Sequence, residues 1–156
     1  MNTLQSKEAK IIGALFLISG IAGVFTFIAI LFPFNSLLSL INTVPLLLFA
    51  FTGYSGYLLL VQENEKGLDY LRAIVAVQII QFHLFGIGYY FVTGGFATIG
   101  IINISLNFNF GFDNNFIINL TEENNDFILR LNILALFAFG YLTRMIQKVE
   151  REEELL

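Results

Sequence analysis

Long apolar runs separated by short polar breaks are the main pattern in this chain. No Asp, Glu, Lys or Arg occurs between Lys10 and Glu63, a run of 52 residues, enough for two membrane spans at about 20 residues each. Phe32-Pro33-Phe34-Asn35-Ser36 interrupts the run with turn chemistry, and Ser36 is placed to cap a following helix. The pattern predicts a first span over about 11–32 and a second over about 37–61. After the polar stretch Gln62–Asp69, charge again disappears from Arg72 to Asp113, which predicts a third span over about 70–93 closed by Thr93-Gly94-Gly95. A fourth is expected over about 127–147, with Arg130 and Arg144 near its ends, where long cationic side chains reach the interface. The expected fold is an all-α membrane protein, a single four-helix transmembrane domain over 1–156. The first span does not read as a signal peptide, because its apolar stretch is long and no small-x-small cleavage site follows.

Residues 96–126 are the sizeable part expected outside the bilayer. Leu106, Phe108, Phe110 and Phe112 alternate with Asn107, Asn109, Gly111 and Asp113, the period of a half-buried strand. Asp113-Asn114-Asn115 offers a turn, with Phe116–Leu120 returning as a second strand. The expectation is an extracytoplasmic β-hairpin whose phenylalanine row needs an apolar surface, either the helix ends or else a partner or the interfacial lipid.

Composition supports a membrane setting. Hydrophobic residues make up 56% and charged residues 13%, against about 25% charged in ordinary soluble domains. Cysteine is absent and there is one histidine, so disulfides, cysteine nucleophiles and multi-histidine metal sites within one chain are excluded. A net charge of −4 excludes a basic nucleic-acid surface. With four spans, seven of the eight Lys and Arg residues fall on the side of the termini, which the positive-inside rule assigns to the cytoplasm. Abundant Asn, Ile and Phe suggest an AT-rich bacterial source, hence a multi-pass protein of the inner membrane.

Between membrane helices, association relies on small residues and polar contacts. Gly20 and Gly23 in the first span, and Gly53 and Gly56 in the second, are placed to make a close helix contact. Pro45 is expected to kink the second span. Leu48–Phe51 and Leu136–Phe139 hint at a pseudo-repeat of two helical hairpins. The third span is polar on two sides, with Gln78 and Gln81 on one and His83 and Tyr90 on the other. Buried amides need partners, and Asn42 and Asn132 are candidates for a shared network or ligand site. Arg130 follows Asp126 by four residues, the spacing of a helical ion pair. It is an interface candidate together with Phe108, Phe110 and Phe112.

No phosphate loop, paired carboxylate, metal or cofactor signature is present. The sequence therefore points first to a non-catalytic accessory or structural subunit of a larger membrane complex. Its partners would be the lipid bilayer and other membrane subunits or further copies of itself. A small oligomeric transporter or channel using the polar face of the third span comes second, and a lipid- or quinone-active membrane enzyme third.

Overall fold

The structure, a computed structural model, describes residues 3–31, 43–120 and 127–155. It is α+β, not all-α. After a 3-10 turn at Thr3–Gln5 come helices α1 (Lys7–Leu31), α2 (Thr43–Leu60) and α3 (Glu65–Val77). Strands β1 (Ile80–Leu84), β2 (Ile87–Ile102), β3 (Ser105–Leu120) and β4 (Ile128–Asn132) follow, then helix α4 (Ile133–Glu153). The chain divides into a helical unit, Met1–Ile74 with Tyr141–Leu156, and a β unit, Val75–Gly140. The expected third span is thus α3 followed by β1 and the start of β2, and the expected fourth is β4 running into α4. Among the described residues two helices, Lys7–Ile28 and Thr43–Leu60, are long and apolar enough to cross a membrane. The four-helix, multi-pass arrangement is overturned.

In the helical unit, α1 and α2 meet through small residues. A Cβ on Gly20 would fall on the Gly53 backbone, one on Gly23 would fall on the Phe49 ring, and one on Gly56 would fall on the Leu17 backbone. Phe27 stacks on Phe49 at 5.4 Å between ring centroids. The opposite face of α1 exposes Ile11, Leu15, Ile18, Ile21, Phe25 and Ile28, spaced three or four apart along one stripe. On α2, Val44, Leu47, Phe51 and Tyr54 do the same. Pro45 lies in the first turn of α2, where its missing N–H removes no helical hydrogen bond and no kink is required. Asn64 caps α3 by accepting from Lys66 N–H at 2.9 Å. Gly67 lets α3 cross α2 closely, since its Cβ would lie 2.8 Å from Leu59 N and 3.0 Å from Ser55 O. Polar ties gather around the start of α1. Lys10 and Gln5 both reach Glu63, at 3.3 and 3.0 Å. Thr3 donates twice to Glu152, at 2.9 and 2.7 Å, and Tyr141 donates to Glu8 at 2.7 Å.

In the β unit the four strands form one antiparallel sheet in the order β1-β4-β2-β3, with β1 also paired to β2. Each of β1, β2 and β4 is antiparallel to the other two, which no flat sheet allows. The conflict is resolved within β2, whose start (Ile87–Tyr89) pairs with β1 and whose end (Thr98–Ile102) pairs with β4. The ribbon must turn back on itself between them. Gly94, at φ 85°, and Gly95 sit in that stretch, where a backbone without Cβ bends at little steric cost. Asn114 of β3 braces the bend, its Oδ1 accepting from Gly94 N–H at 3.2 Å and from the Thr93 hydroxyl at 3.3 Å.

The expected hairpin exists but is longer and turns elsewhere. β3 runs unbroken through 113–115 and pairs along its whole length with β2. The reversal is at Asn103-Ile104, both at positive φ (45° and 76°), as a two-residue primed turn requires. Asn103 exchanges hydrogen bonds with Phe127 (N to O 2.9 Å, and Phe127 N to Oδ1 2.9 Å) and so ties the tip to the approach to β4.

The glycine contact carries a sharp asymmetry. Gly20→Ala should lower the detergent melting temperature of the full chain, at about 1–3 kcal/mol for overpacking. Gly53→Ala, whose added Cβ meets its nearest neighbour at an ordinary 3.6 Å, should stay within about 0.5 kcal/mol of the parent. Equal losses from the two variants would refute this packing of α1 on α2.

Candidate functional site: a polar pocket in the β unit

Residues that share a pleat face are fixed by register, since cross-strand partners and positions two apart lie on the same side. Gln81 pairs with Arg130 and His83 with both Ile128 and Gly88. Tyr90, two residues beyond Gly88, pairs with Ile117, and Asn115 lies two positions from Ile117. One concave face therefore collects Gln81, His83, Tyr90, Asn115 and Arg130. They line a pocket of about 260 Å³, whose apolar walls include Ile117, Ile128 and Phe82. Gly100 keeps room beside Arg130, because a Cβ there would lie 2.7 Å from the arginine Cα and Cγ.

The pocket is poor in partners for its own polar atoms. Gln81 is 1% exposed, and neither its Nε2 nor its Oε1 has a hydrogen-bond partner. The same holds for His83 Nε2 and Arg130 Nε. Each such atom costs about 1–3 kcal/mol in a buried setting. Burial pushes the Tyr90 phenol up from its ordinary value; the charge of Asp113 adds to this and that of Arg130 opposes it. Burial pushes Tyr89 up to about 12, and its hydroxyl donates to Val77 O at 2.8 Å.

The other sequence candidates fall outside the pocket. Gln78 is buried at the end of α3 and accepts from Thr93 N–H at 3.0 Å. Asn132 is the N-cap of α4, its Oδ1 accepting from Ala135 N–H at 3.2 Å and from Ala97 N–H of β2 at 3.4 Å. None of these groups forms a polar stripe on a membrane helix, because Gln81 and His83 are strand residues. Asn42 and Asp126 lie outside the described residues. Phe108, Phe110 and Phe112 project from β3 and are exposed, the last two by 84% and 89%. Gly20, Gly23, Gly53 and Gly56 belong to the α1–α2 contact. Asn115 was not anticipated, since the sequence places it in a turn. Its period-two relation to Ile117 would have marked it as a strand residue.

Chemically this is a donor-rich site with one guanidinium, one imidazole and no carboxylate among its lining residues. It is suited to holding a group rather than to paired acid–base chemistry. No family model, curated protein or solved structure matches the chain.

Two outcomes follow for the site. Gln81→Leu removes an amide with no partner at either atom, so it should raise stability by about 1–3 kcal/mol, read as the melting temperature of the full chain. A loss of stability would mean that the amide is satisfied. For Tyr89, the folded pKa of about 12 lies above the ordinary value of 10.0. The stabilisation from the neutral phenol is thus complete below pH 10 and is lost as pH rises through 12. Tyr89→Phe should flatten that alkaline decline in thermal unfolding, and an unchanged decline would assign it to other groups.

Proposed function

We propose that the chain is a small integral membrane protein, held in a bacterial cytoplasmic membrane by the α1–α2 hairpin, that serves as a non-catalytic accessory subunit of a larger membrane complex. The observation that carries this reading is the inverted burial of the helix pair. A core helix of a soluble protein can be as apolar as these two, but it is covered. Here only 22% of the α1 window and 44% of the α2 window are buried, and the close contact uses glycines while Ile, Leu and Phe face outward. That distribution suits helices surrounded by lipid tails, where close backbone approach replaces the hydrophobic drive.

With two spans, the start of α1 and everything after α2 lie on one side. Lys7, Lys10, Lys66 and Arg72 flank the spans there, while 32–42 carry no Lys or Arg. The positive-inside rule then places the termini and the β unit in the cytoplasm. The partner surface is β3, which ends the sheet order. Its outer edge carries no charge or proline over 105–112, and the phenylalanine row stands exposed beside it. An edge of that kind is a template for another chain.

The test uses the full chain in native membranes, which is convenient because it has no cysteine of its own. The protein should stay with the membrane through alkaline extraction. Asn103→Cys should resist an impermeant maleimide in intact cells and react after lysis. Affinity capture should return a membrane protein in stoichiometric amount, and Phe108→Lys combined with Phe110→Lys should lose it. Release by alkali sinks the anchor, labelling in intact cells sinks the orientation, and capture of the chain alone sinks the subunit role.

A further inference from the structure

We infer that the pocket of the β unit is a binding site for a small carboxylate with an apolar, ring-sized body. This does not depend on anchoring or on partner docking. Three observations on this chain carry it. First, the unpartnered atoms are weighted toward donors. Gln81 Nε2 and Arg130 Nε both lack acceptors, His83 Nε2 donates when it carries the proton, and the Tyr90 hydroxyl and Asn115 amide line the same wall. A ligand that satisfies them must bring acceptor oxygens. Second, Arg130 enters no ion pair among the described residues, and it is the single cation lining the pocket. A half-buried guanidinium whose Nε is shut from solvent without an acceptor is balanced by one negative charge, and its planar fork matches a carboxylate edge. Third, Phe82, Ile117 and Ile128 give the lining an apolar part, and the pocket of about 260 Å³ exceeds the ~150 Å³ cavity that admits one benzene. An acid built on a single ring therefore fits, with its carboxylate at Arg130 and Gln81 and its body against the aliphatic wall.

The ion itself is the discriminating element. Asp113 lies close enough for its charge to act on Tyr90, so the local field is not generally positive. A diffuse anion site would not be expected here, and recognition rests on the directed donors.

Phenylacetate is the probe, titrated into the purified full chain in detergent. The chain has no tryptophan and six tyrosines, and Tyr89 and Tyr90 line the pocket, so tyrosine emission reads occupancy directly. Saturable binding in the millimolar range or tighter is expected. Phenylacetamide, equal in shape but neutral, should bind at least about tenfold more weakly. Arg130→Gln should show a similar loss, and Arg130→Lys should recover part of it. Inorganic phosphate at equal concentration should not displace the probe. The proposal is overturned by absence of saturation, by equal binding of phenylacetamide, or by displacement by phosphate, which would mark the apolar body as irrelevant. The amide comparison needs no variant, so a folding defect in Arg130→Gln leaves the test decisive. Gln81→Leu supplies a second arm, more stable but weaker in binding.

Discussion

The polar interior of the β unit is positioned by one constraint, the need of β2 to serve two strands that are antiparallel to each other. Backbone N–H and C=O groups removed from water must pair, and β1, β4 and both ends of β2 can pair together only if the long ribbon turns back on itself. Gly94 and Gly95 provide the bend and Asn114 fastens it. With the ribbon folded, β1 and β4 lie side by side and Gln81 comes opposite Arg130. The pocket is a consequence of how the backbone satisfies itself. Asn132, which caps α4 and accepts from Ala97 N–H, extends the same logic to the point where the sheet passes into helix.

Both units share a second trait: small or polar groups lie inside beside the buried apolar side chains, while many other apolar side chains face outward. In the helix pair the glycines share the inside with Phe27, Phe49, Leu58 and Leu59. In the sheet Gln81, His83, Thr98 and Asn132 are buried together with Phe91, Val92, Phe96 and Phe116, while Ile80, Leu129, Leu131 and the phenylalanine row look outward. In water this would waste apolar burial worth about 25 cal/mol per Å². Against lipid or a protein partner it would not. The two cases differ, however. Helices satisfy their own backbone and tolerate lipid on all sides. A sheet with an open edge does not belong in hydrocarbon. The free edge of β3 therefore argues that the β unit meets protein or the interfacial zone, whereas α1 and α2 fit lipid.

How much of this could be read from the sequence varies with the kind of signal. The uncharged run from Ile11 to Gln62 and the helical spacing of its glycines mark α1 and α2 directly, because composition and period agree there. From Ala73 to Phe112 charge is equally absent, and hydropathy alone cannot separate a span from strands buried on one face. Ile80-Gln81-Phe82-His83-Leu84 alternates strictly, as does Leu129-Arg130-Leu131-Asn132. Wound as a helix, the first of these segments becomes polar on two sides, and that awkward result was itself the mark of a strand. Local chemistry does not mark the tip. Ile104 occupies a positive φ that β-branched residues avoid, while Asp113-Asn114-Asn115 has the chemistry of a turn yet continues the strand. Thirty-two paired residues of β2 and β3 outweigh one strained isoleucine, so tertiary pairing set the turn against local preference.

Gln81, His83 and Tyr90 stand out in the sequence as polar groups in an apolar run, but their convergence with Arg130 and Asn115 depends on register, which a one-residue slip would reverse. Among the described residues, the buried side-chain atoms of the pocket without partners are Gln81 Nε2 and Oε1, His83 Nε2 and Arg130 Nε. At about 1–3 kcal/mol each, they are comparable in sum with the whole stability of a domain, about 5–15 kcal/mol. Leucine at position 81 would remove two of them at similar volume. A packing role would favour that change, whereas a recognition site needs the donors in place before the ligand arrives. The destabilised cluster is thus better explained by what it binds than by what it holds together.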